Sequence, residues 1–315
     1  MKEKSAYDRI METIPTDTGG LIRVGMLDLT RGYGARDIIN VLGGLPKLGT
    51  DARDLRNTAN YWDEASPLEL ESGTLFRQLW FYFTKNRINR KLIPTGTLIE
   101  RVERMPLDHD QVNWPLAKLG TLEGGTSQWQ TAAILLGNKE SLSEVPFYLR
   151  KTYTILAEWE EKRAHGESWE VPRDPTLIAQ SKAYLTYLRT GQMSLQPEKL
   201  GDCDLYCFLD SFDAVSREWG EANWPQLREH ESNRFETTEE MLKQLGEGKK
   251  ITSLDHRVVQ AAAMRIQSNI LHAGKEPLTV EQLRQKFSNP DCVAKKWPRF
   301  WEAMSYFPEA AKETV

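Results

Sequence analysis

The feature that most limits the fold is a helical period of apolar side chains that recurs along the chain and repeatedly halts at glycine. In "SGTLFRQLWFYF", Leu75, Leu79 and Phe83 share one helical face, with Phe76 and Trp80 beside them. "VPFYLRKTYTILAEW" opens with Pro146 near its first turn, where a missing N–H is harmless, and continues as a long amphipathic helix. "TLIAQSKAYLTYLRTG", "DLYCFLDSFDAVSREWG" and "DHRVVQAAAMRIQSNILHAG" carry the same period. They stop at Gly191, Gly220 and Gly274, residues suited to the left-handed backbone of a helix end. Three such helices of similar length hint at a repeated unit. Strand signals are sparse: "LIRVGML" and "KLIPTGT", each bounded by Gly, Pro or Thr, are the candidates.

A length of 315 residues suits one large domain or two of ordinary size, and 40% hydrophobic residues are enough for real cores. The densest polar stretch, "EEKRAHGESWEVPRDP" at residues 160 to 175, is the best candidate boundary, although a charged helix end and a surface loop inside one domain would read the same way. A formal net charge of -4 speaks against a nucleic-acid partner. No apolar run approaches the roughly 18 residues of a membrane span, and the N-terminal "MKEKSAYDRIMETIP" lacks the apolar stretch of a secretion signal, so a reducing cytoplasm is expected. The cysteines, Cys203, Cys207 and Cys292, are odd in number and have no second Cys/His pair nearby; neither a disulfide framework nor a metal is expected.

Several helix entrances carry unusual chemistry. In "QLREHESNRFETTEEMLKQLG", Ser232 or Asn233 can cap a helix, and Glu236, Glu239 and Glu240 suit its first turns. Arg228, His230, Glu231 and Arg234 crowd around that cap. "LDHRVVQAAA" sets Asp255, His256 and Arg257 at the head of a small-residue helix, where the dipole and charge-assisted bonds can together hold an anion. "ESGTLFR" and "EGGTSQWQTAAILL" place Gly73 and Thr74, with Arg77 one turn in, and Gly124 to Gln128 at two further entrances. Arg101 and Arg104 precede Pro106, and Lys295 and Lys296 precede a proline-bounded helix. Taken singly, each fits a plain N-cap. Together they suit a ligand with two or three anionic groups and no metal. No GxGxxG, P-loop, GxSxG or HExxH motif is present.

The order of these entrances is more specific than any one of them. "PTDTGGLIR", "ESGTLFR", "VERMP", "GTSQ", "DLYCFLDSF", "HESNR", "DHR" and "KKWPRFWEAM" follow one another from residue 15 to residue 305. In this order the chain resembles the enolpyruvyl transferases, most closely the branch acting on shikimate 3-phosphate. That family carries GSKSxSxR, NxGTxxR, ERP, SSQ, a helix-opening aspartate, KESDR, DHR and KxxP. Thr18 and Gly19 stand where the family has Lys-Ser, Glu71 where it has asparagine, and His230 where it has lysine. The intervals between motifs are short, which implies trimmed strands and a helix-rich version.

The resemblance implies an α/β (α+β) chain of two domains, each from three small β/α repeat units. Residues 15–171 would form the first lobe, and 1–14 with 172–315 the second. It implies transfer of the enolpyruvyl group of phosphoenolpyruvate to a hydroxyl of shikimate 3-phosphate or a related acceptor, with release of phosphate. The residues implied as catalytic are Asp204, taking the hydroxyl proton, Glu231, serving the methylene carbon, and His256. Phosphoenolpyruvate would meet Gly73, Thr74, Arg104, Gln128, Arg234, Arg257 and Lys295. The acceptor would meet Thr18, Gly19, Arg23, Thr126, Ser127, Ser143 and His230. The implied partners are these small molecules only, with no cofactor, no nucleic acid and no membrane, and the implied state is a monomer. The alternative expectation is a non-catalytic or repurposed homologue that binds an anionic metabolite or a protein partner.

Overall fold

The structure is a computed structural model that describes residues 4–43, 50–96, 98–124, 126–137, 149–167, 173–196, 202–228 and 233–313. These residues are mostly helical, and the chain divides into two compact units, 16–172 and 1–15 with 173–315. Pro146, the proline expected near a helix start, and the candidate site residues Ser143, His230 and Glu231 lie outside the described residues.

In the 16–172 unit the helices Thr18–Thr30, Gly73–Lys85 and Gln128–Leu136 each pack against the other two. The stretch "LIRVGML", expected as a strand, is the middle of Thr18–Thr30. Leu21, Ile22, Met26, Leu27 and Leu29 are all buried, so this helix is enclosed by its neighbours. Enclosure on every side erases the amphipathic period and leaves an apolar run that also reads as a strand. "KLIPTGT" does contain a strand, Leu92–Pro94, which pairs in parallel with Leu68–Leu70 across the Gly73–Lys85 helix. Ser72 starts that helix by accepting the N–H of Leu75 at 3.1 Å. Trp129, Phe81, Leu79 and Ile22 fill the unit's core.

In the other unit, Tyr206–Ser211, Arg234–Gly246 and His256–His272 also pack mutually. Pro175–Thr190 begins on Asp174, whose carboxylate accepts the N–H groups of Thr176 and Leu177, and ends on Gly191 at φ 71°. His256–His272 ends just before Gly274 at φ 68°. The expected helix running to Gly220 is two: Tyr206–Ser211 closes after Ser211, and Arg217–Asn223 continues through Gly220. Gly220 is a packing glycine, since a β-carbon there would lie 2.4 Å from Tyr206 Cε2. Among the described residues this unit holds no strand beyond an isolated parallel bridge between Ile251 and Phe287. No described helix is long and apolar enough to cross a membrane.

Candidate functional site

Three helix starts meet in the 173–315 unit. Asn233 caps Arg234–Gly246 by accepting the N–H of Glu236, and Asp255 caps His256–His272 by accepting the N–H of Arg257 at 2.9 Å. Asp204 lies two residues ahead of Tyr206–Ser211, its own N–H donating to the Asp202 carboxylate. This arrangement brings two carboxylates and two guanidiniums together. Asp204 Oδ1 stands 2.8 Å from Arg257 Nε and 3.3 Å from Arg234 Nη1. Asp255 stands 3.6 Å from Arg234 Nε and 3.8 Å from Arg257 Nη1. The Arg257 Nε contact is ionic without a well-aligned hydrogen bond. Burial works against the Arg257 charge, yet Asp204 and Asp255 together raise its pKa above the ordinary guanidinium value.

His256 borders this group, buried, with Nδ1 3.9 Å from Asp255 Oδ1 and Nε2 enclosed without a hydrogen-bond partner among the described residues. Burial and then the Arg257 charge push its pKa down to about 4, against the pull of Asp255 and Asp204. The imidazole is therefore neutral near pH 7 and presents one unused ring nitrogen. Lys295 is exposed but near enough for its charge to lower the His256 pKa further. Lys296 pairs with the buried Asp174 at 2.5 Å. Burial, then the neighbouring Asp204 and Asp202 charges, push the Cys203 thiol up to about 12, so it is no thiolate nucleophile. Asp202, Cys203 and Asp204 lie within ligand distance of one another, but Asp202 accepts the Thr176 hydroxyl and Asp204 is held by arginines.

A second polar group lies in the 16–172 unit at the start of Gly73–Lys85. Arg77, buried, forks onto Glu123 with Nε at 2.7 Å and Nη2 at 2.5 Å, and its Nη1 donates to Gln128 Oε1 at 2.6 Å. Glu123 adopts the left-handed φ of 46° and also accepts Trp129 Nε1 at 2.5 Å. A β-carbon on Gly73 would stand 2.5 Å from Arg101 Nη2 and 3.0 Å from Arg77 Nη1, so two guanidinium ends flank this glycine. Asp54 accepts the N–H groups of Glu71 and Ser72, at 2.6 and 2.7 Å. Burial raises the pKa of nearby Asp51, which also feels Ser72, Asp54 and Arg101.

Of the expected residues, Asp204, His256, Arg234 and Arg257 come together in one unit, with Lys295 at their edge. Gly73 and Gln128 come together through Arg77 in the other, with Thr74 half-buried on the first turn. Thr126 Oγ1 lies 3.5 Å from the Gln128 N–H, and Ser127 precedes that helix without capping it through its side chain. Thr18 opens Thr18–Thr30, and Arg23 lies back toward Gly19, its Nη1 3.7 Å from where a β-carbon would be. Arg104 is exposed and donates to the carbonyl of Glu100; Arg101 reaches Gly73 instead. Asp255 as a shared counterion, and Glu123, Asp54 and Asp51, were not expected at these groups. Only Asp255 carried a signal, as the residue preceding the His-Arg pair. The chain matches no family model, no curated protein and no solved structure.

Proposed function

We propose that the chain binds phosphoenolpyruvate at the Arg234–Arg257 group and transfers its enolpyruvyl moiety to a hydroxyl of shikimate 3-phosphate or a related acceptor, releasing phosphate. The observation that carries this reading is convergence: Asp204, Arg234 and Arg257, far apart in sequence, meet beside Asp255 and His256 at three helix starts. The packed helix triplet in each unit supports the finer reading of two trimmed enolpyruvyl-transferase domains, each helix marking one original β/α unit.

In this reading the phosphoenolpyruvate carboxylate exchanges with Asp204 on the guanidiniums. Forked donors suit that task, and each charge-assisted bond is worth about 1.5–3 kcal/mol. The freed Asp204 carboxylate takes the acceptor hydroxyl proton while the hydroxyl oxygen bonds to C2. A proton from Glu231 is added at C3, giving a tetrahedral ketal. The C2–O bond to phosphate then breaks, phosphate leaves with the bonding pair, and C3 returns its proton to Glu231. His256, neutral and with Nε2 unused, accepts or donates one hydrogen bond to the bound anion without adding charge.

A second reading, binding without turnover, is favoured by a separate observation. Arg234 and Arg257 are already compensated by Asp204 and Asp255, Arg77 is engaged by Glu123, Gln128 and the Gly73 carbonyl, and Thr18 stands where the family has lysine. Phosphate release from phosphoenolpyruvate with shikimate 3-phosphate separates the readings. Release that vanishes in Asp204→Asn supports transfer. Thermal stabilisation by phosphoenolpyruvate with no release for any hydroxylated acid supports binding alone.

A further inference from the structure

The three packed helices of the 16–172 unit end together, and their ends enclose an open pocket of about 480 Å³. Arg31 follows Thr18–Thr30, Lys85 and Asn86 end Gly73–Lys85, and Gly137 follows Gln128–Leu136. Tyr82 and Leu136, both half-buried, give the pocket an apolar side, with Ile134 buried behind it. Among the described residues no carboxylate lines it, and neither Arg31 nor Lys85 has an ion-pair partner there. Lys85 Nζ donates one bond, to the Gly137 carbonyl at 2.7 Å. Cations at helix ends are ordinary. Two of them sharing one pocket with no acid among its described lining residues are not.

We propose that this pocket binds a small organic monoanion with an apolar body, such as an aromatic carboxylate. The carboxylate would sit between Arg31 and Lys85 and the ring against Tyr82 and Leu136, in a volume suited to a small ligand. Burial and then the Arg31 charge hold the Lys85 pKa below its ordinary value, so an anion placed there relieves a like-charge repulsion. The site is separate from the groups described above and does not rest on the proposed transfer reaction. Its residues are at the helix ends, and Gly73–Lys85 alone is 13 residues, about 19 Å, long.

Benzoate titrated into the full chain, followed by isothermal calorimetry and by the tyrosine ring signals in NMR, tests this. Saturable binding that weakens at least tenfold in Arg31→Gln/Lys85→Gln supports the site. The same weakening should appear in Asn86→Asp, a surface change that adds a carboxylate beside Lys85. Inorganic phosphate at equal ionic strength should bind at least tenfold more weakly than benzoate because it lacks the apolar body. No saturable benzoate binding, equal affinity in the variants, or phosphate binding as tightly as benzoate would each overturn the proposal.

Discussion

Arg257 keeps its charge in a half-buried position because Asp204 and Asp255 flank it. Removing one partner of such a group strands the other, so Arg257→Met should cost about 3–5 kcal/mol in urea unfolding. His256 gives a pH signature. Its pKa in the fold, about 4, lies below the ordinary 6.5, so the unfolded chain takes up the proton first as pH falls. This contribution is whole above about pH 6.5 and fades between about 6.5 and 4, on the order of 1–3 kcal/mol in all. The urea midpoint of the wild type should fall across that window, and His256→Gln should flatten that part of the profile. At this scale the sequence was legible where a residue opens a helix, because cap chemistry is local. Glu123 was not legible: it reaches Arg77 from a turn whose left-handed backbone no periodicity signals.

Among the elements, the helices with one exposed face could be read, and the enclosed one could not. Arg150–Ala164, buried at Thr152, Tyr153, Leu156 and Trp159 and largely exposed elsewhere, keeps a clear apolar stripe, whereas Thr18–Thr30 is surrounded and looks like a buried strand. The end of the helix at Ser211 was missed because Asp213 turns at φ 58°, a conformation without a glycine to mark it. Gly220 was taken for a stop and is a contact. Gly220→Ala should therefore force the Tyr206 ring from its place and destabilise the protein by about 1–3 kcal/mol. Ser72→Ala, losing one N-cap bond, should cost about 1 kcal/mol, measurable as a small shift in the same unfolding curve.

For the whole molecule, the α-rich character was legible in the density of helical period. The strands of a β/α repeat were expected only through the family resemblance, and that resemblance is carried by helix entrances. It holds no information about what lies between them. The described residues show one parallel strand pair and otherwise helix on helix. Far-UV circular dichroism should accordingly be dominated by the helical double minimum. Leu79→Ala, inside the 16–172 core, should cost about 2–5 kcal/mol through the cavity it leaves. The claim on which the function depends is that Arg234 and Arg257 form a receptor for phosphoenolpyruvate. Calorimetric titration of phosphoenolpyruvate into the wild type and Arg234→Lys tests it most directly. We expect saturable binding to the wild type, weakened at least about tenfold by loss of the guanidinium fork. Absence of saturable binding, or equal affinity in the two proteins, would contradict it.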